Sequence, residues 1–125
     1  MACLDQDPAP VARALERAPA RVALADGTSL SDCVRLLARS DADLQVLAAR
    51  LLRVADDLRA SATTDPDAAM RLGYLVGAVR RGAARTPGLA TNLLRRIERG
   101  ATFDAADARP RQALARGIEL GEAAG

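Results

Sequence analysis

The stretch from Met70 to Pro87, MRLGYLVGAVRRGAARTP, decides how the rest of the chain is read. Wound as a helix at about 100 degrees per residue, it gathers Leu72, Leu75, Val76 and Val79, with Ala68 just upstream, into one apolar stripe suited to a helical core. Beside that stripe run the small residues Ala69, Gly73, Gly77 and Ala84, and further round stand Met70, Tyr74 and Arg81. Two glycines inside a helix cost about 2 kcal/mol relative to alanine. A chain that uses alanine at 29 positions omits those two methyl groups for a reason. Close approach of a second helix to a Gly-x-x-x-Gly face is that reason.

The second helix is either internal, around Leu44 to Leu58 or Leu89 to Ile97, or part of another molecule. Met70 and Tyr74 are residue types of adaptable interfaces, and the uncharged run Leu72 to Val79 leaves little polarity for solvent. The expected interface is therefore Met70, Gly73, Tyr74 and Gly77, rimmed by Arg80, Arg81 and Arg85. A homodimer in which two such helices cross is the simplest arrangement.

The composition around this helix is that of an all-α protein. Alanine and leucine supply 29 and 18 positions, whereas valine, isoleucine and threonine together supply 15, so helix formers outweigh strand formers. A length of 125 residues suits a single domain with one core. Caps and periodicity predict an irregular bundle of four main helices near 30–39, 41–60, 66–85 and 87–99, with short helical segments at either end. Ser29 or Ser31 opens the first, Ser40 with Asp43 the second, Asp65-Pro66 the third, and Thr86-Pro87 the fourth. Asp7 with Pro8 or Pro10 starts a short helix that Pro19 stops. "RVALADGTSL" reads as an extended connector with a turn at Asp26-Gly27. A last helical region starts at Thr102 or Asp104, is kinked or broken at Pro110, turns Leu114 and Ile118 inward, and ends in a weakly specified "GEAAG".

Cys3 lies in a terminus expected to fray and Cys33 on a core face. Two cysteines placed so predict no disulfide framework and fit a reducing cytoplasm. The start "MACLDQDPAP" lacks a basic segment and an apolar core, and no stretch longer than nine residues is free of charge, which argues against a signal peptide and a membrane span.

Every one of the 18 basic residues is arginine. They are unevenly placed: residues 1–70 hold eight arginines against eleven acids, residues 71–100 seven against one, and residues 101–125 three against four. The basic third has two readings. Asp56, Asp57, Asp65 and Asp67 could neutralise Arg71, Arg80 or Arg85 across the bundle, each exposed pair contributing about 0 to 1 kcal/mol. Alternatively the arginines meet an acidic protein surface or nucleic-acid phosphates.

Enzymatic chemistry has little to work with. The chain has neither histidine nor lysine, so the common general bases and activated nucleophiles are missing. Asp56 and Asp57 diverge as helix neighbours, and no Cys-x-x-Cys or Glu-x-x-His spacing offers a metal site. No cofactor is expected, and an arginine-lined pocket for an anionic small molecule is the one enzymatic or ligand-binding option.

The run "GLATNLLRRIERG", Gly88 to Gly100, resembles the recognition-helix part of phage-repressor-like helix-turn-helix domains in its turn glycine, its inward apolar residue and its "IERG" ending. The resemblance covers 13 of 125 residues. It implies that Thr91, Asn92 and Arg95 face bases while Arg96 and Arg99 lie nearer phosphates. Pro87 departs from the pattern, standing where that family carries an apolar residue and making "TPGLA" read as a helix start.

The leading expectation is thus a non-enzymatic protein-protein interaction module. A small DNA-binding protein using residues 85–99 is the alternative.

Overall fold

The structure is a computed structural model that describes residues 2–86 and 88–125. It is all-α, with six helices among the described residues: α1 (Ala9–Leu15), α2 (Leu30–Leu37), α3 (Asp41–Ala62), α4 (Pro66–Ala84), α5 (Thr91–Gly100) and α6 (Ala108–Ala124). A 3-10 turn at Ala2–Leu4 precedes them.

The starts follow from local chemistry. Ser29 and Ser40 accept backbone N–H bonds from Asp32 and Asp43, as cap residues do. Asp65 accepts from the Asp67 N–H, and Pro66, having no N–H to leave unpaired, takes the first helical position.

α4 is the axis of the bundle. It packs against α1, α2, α3, α5 and α6, and every residue from Leu72 through Val79 is buried. Two consecutive turns without a solvent face explain why that run carries no charge: a helix apolar all round belongs inside. Around it, Leu47, Leu51 and Val54 of α3, Leu30, Val34 and Leu37 of α2, Leu93 and Ile97 of α5, and Val11 and Leu15 of α1 complete one core. The connector between α1 and α2 contains no strand; its own Val22 and Leu24 are buried, and Gly27 turns it at a φ of +85°.

Three expectations need correction. α5 begins at Thr91, not near 87, because residues 88–90 form a turn with Gly88 at a φ of +82°, a value a helix cannot continue through; Pro87 itself lies outside the described residues. The last helix starts at Ala108 and runs unbroken past Pro110, which falls in the first turn where a missing N–H is harmless. "GEAAG" is well specified: Gly125 is buried against Ala78, and its carbonyl accepts a 2.7 Å bond from the Ser31 hydroxyl.

Cys3 and Cys33 are disulfide-bonded, contrary to the expectation of two unpaired thiols. The terminus is held down from several sides, which brings Cys3 onto the core face of α2. Arg50 of α3 donates to the carbonyl oxygens of Ala2 and Asp7, both at 2.7 Å, and Asp26 accepts from the Ala2 N–H.

Candidate functional site

The two faces read from the sequence have opposite fates, and the reason lies in α6. Gly73 and Gly77 approach α6 so closely that a Cβ on either would overlap the carbonyl oxygen of Leu114 or Ile118. Gly117 and Gly121 approach α4 in the same way, towards the carbonyl oxygens of Met70 and Tyr74. The helices therefore run parallel, and each presents a Gly-x-x-x-Gly face to the other. Residue for residue the seam is two-fold: Met70 meets Gly117 as Leu114 meets Gly73.

Close packing against Gly73 and Gly77 was legible in the sequence; the partner was not. It is α6, rather than α3, α5 or a second molecule. Tyr74, 1% exposed, is sealed into the same region, so the expected external surface of Gly73, Tyr74 and Gly77 is an internal joint. Met70 is half-buried over Gly117. A second sequence signal was available in "GIELG", Gly117 to Gly121, which repeats the spacing of "GYLVG", Gly73 to Gly77.

The rim arginines of α4 are also occupied. Arg80 bridges α5 and α6, donating to Glu98 at 2.8 Å and Glu122 at 3.0 Å, and these two carboxylates raise its pKa further. Arg81 donates to the carbonyl oxygens of Glu122 and Ala123, capping the C-terminal end of α6. Glu98 and Glu122, not Asp56, Asp57, Asp65 or Asp67, are thus the neutralising acids: Asp56 pairs with Arg59, and Asp65 serves as a cap. Arg71 gains no ion pair among the described residues, and its buried Nε has no hydrogen-bond partner there. Arg85, by contrast, is exposed.

α5 presents the remaining candidates to solvent. Leu93 and Ile97 face the core, while Thr91, Asn92, Arg95, Arg96 and Arg99 are all exposed. At about 100 degrees per residue, Asn92, Arg95, Arg96 and Arg99 fall within one arc, with Thr91 at its edge. None of the three arginines has a carboxylate within 4.0 Å among the described residues. The only acid in this helix, Glu98, lies outside that arc by helix geometry and pairs with Arg80. Leu89, 60% exposed, adds an apolar contact at the start of α5, and Asp41 of α3 borders the same shallow groove as Asn92 and Arg96.

Sequence reasoning missed Arg50. It is 2% exposed, the largest fully buried side chain among the described residues, and it lines a groove together with Arg53. Nothing in its spacing marked it, because its acceptors are backbone carbonyls more than forty positions away.

No protein-family model matches the chain, and comparison with curated proteins and with solved structures gives no match. Among the described residues there is no group of histidine, cysteine and acidic side chains arranged to hold a metal, and no helix long and apolar enough to cross a membrane.

Proposed function

We propose that this chain is a non-enzymatic binding module that engages an anionic macromolecule, double-stranded nucleic acid, through the exposed face of α5. The observation that carries the reading is the division of labour among the arginines. Arg80 and Arg81 are engaged by internal acids and carbonyls, whereas Arg95, Arg96 and Arg99 share one solvent face with Asn92 and have no carboxylate partner among the described residues. Uncompensated guanidinium groups in a row on a rigid helix suit phosphates at successive positions along a duplex. On this reading Thr91 and Asn92, exposed at the helix start, are the side chains that would reach base edges.

A protein partner is the second reading, favoured by Leu89, whose exposed side chain beside the arginines offers an acidic protein surface an apolar contact. With the glycine face of α4 filled by α6, a homodimer through crossed α4 helices is no longer the simplest arrangement, and the α5 surface is the one this reading uses.

The compartment that goes with the first reading is the cytoplasm. There a disulfide persists only if reductant cannot reach it. Cys3 and Cys33 are 0% and 1% exposed, so thiol attack requires the N-terminal segment to open first. Alkylation of freshly lysed cells before purification reads the state of the pair directly.

Binding to a duplex oligonucleotide, followed by fluorescence anisotropy as a function of salt, tests the proposal. Contacts with three or four phosphates give a slope of log K against log salt of about −3 to −4. Arg95→Ala and Arg96→Ala should each flatten that slope by about 1. Absence of binding at low salt overturns the reading. A chain that ignores duplexes but is captured by an acidic polypeptide through the same arginines supports the second.

A further inference from the structure

A groove of about 520 Å³ lies between the N-terminal segment and the outer face of α3, remote in sequence from α5. Its polar lining is Gln6, Gln45, Arg50 and Arg53; Ala42, Val46 and Ala49 supply an apolar wall. The volume falls within the range of small-molecule sites, about 300 to 1,000 Å³.

Arg50 makes this groove unusual. Its guanidinium is buried, yet it has no carboxylate within 4.0 Å among the described residues and satisfies Nε and Nη1 on the neutral carbonyl oxygens of Asp7 and Ala2. Carbonyl acceptors satisfy N–H groups without cancelling charge, and a buried cation lacking a counter-ion is costly. Burial accordingly lowers the Arg50 pKa, opposed through space by Asp5 and Asp7. Those two carboxylates are exposed and occupied elsewhere: Asp5 accepts from the Asp7 N–H, and Asp7 accepts from the Ala9 N–H at the start of α1. Arg53, three positions on, adds a second guanidinium on the same side of α3, and among the described residues no acid lines the groove.

We infer that this groove binds a small organic carboxylate. Arg50 and Arg53 pair with the carboxylate, Gln6 and Gln45 hydrogen-bond the polar atoms of its body, and the alanines and Val46 cover its apolar part. Arginine matches the two oxygens of a carboxylate in geometry as well as charge. A monoanion suits the site better than a phosphate dianion, because Asp5 and Asp7 offset part of the field that a second negative charge would need.

Isothermal titration and thermal-shift measurements on the full chain, with benzoate and butyrate as carboxylate probes and inorganic phosphate as the contrast, test this. The expected result is a saturable heat and a raised melting temperature with the carboxylates, stronger for benzoate. Arg53 and Gln45 are exposed, so Arg53→Ala and Gln45→Ala keep the fold, verifiable by circular dichroism, and should each weaken binding several-fold, with Arg53→Lys restoring part of the loss. Three results overturn the inference: no response to any probe, a response untouched by Arg53→Ala and Gln45→Ala, or phosphate binding as tightly as benzoate. Arg53→Ala separates this inference from duplex binding by α5, because Arg53 lies outside the groove that Gln45 shares with Asn92 and Arg96, and duplex binding is measured with a different probe.

Discussion

Tyr74 is the chain's only tyrosine, and its placement makes it a reporter of the core. Burial raises its phenol pKa above the ordinary value of 10.0, opposed by the nearby Arg81 charge and the backbone at Val22. The sign of the resulting pH dependence follows from proton counting. Above pH 10 the unfolded chain releases the phenolic proton while the folded chain retains it, so stability is undiminished below the unfolded pKa and falls as pH rises through the folded one. Urea midpoints should therefore decline with increasing pH above about 10, and tyrosinate absorbance should appear later than for free tyrosine. Tyr74→Phe removes this component of the decline; an unchanged slope in that variant would show that the phenol is not its source.

At the scale of elements, the joint between α4 and α6 is held by four absent methyl groups. Alanine usually stabilises a helix relative to glycine by about 1 kcal/mol. Here the added carbon would meet backbone oxygen, which cannot rotate out of the way as a side chain can. Gly117→Ala and Gly73→Ala should each lose about 2 kcal/mol despite the propensity gain, as overpacked cores do. Gly100, at the end of α5, is the internal control: its Cβ would lie 3.9 Å from Leu52, an ordinary contact, so Gly100→Ala should be neutral or more stable by up to about 1 kcal/mol. Urea denaturation distinguishes the two signs. Arg80 ties the same joint to α5 through Glu98, the one acid of that helix, which stands off its basic outer face.

At the scale of the whole molecule, the Cys3–Cys33 bond closes a long loop around α1 and the connector. For a separation of 30 residues, the chain-entropy model assigns such a cross-link about 3 to 4 kcal/mol. Cys33→Ser should lower the unfolding free energy by about that amount, and reduction of the wild-type chain should reproduce the loss; a change below about 1 kcal/mol in both would show that the terminus is held by other contacts.

Fold class and most helix starts were legible in the sequence because both are local: serine and aspartate caps, proline in first turns, and leucine at helical spacing act within a few residues of where they stand. The glycines of α4 announced close packing for the same reason, and Thr91, Asn92, Arg95, Arg96 and Arg99 fell on one face by helix geometry alone. What those glycines pack against, which acids neutralise Arg80, where Cys3 ends up and why Arg50 is buried are pairings between distant parts of the chain. Pattern within one helix says that a face needs a neighbour but carries no information on which of several similar helices supplies it. Only the folded arrangement decided that α6 fills the seam of α4, because a parallel partner with its own two glycines is what lets the two backbones meet.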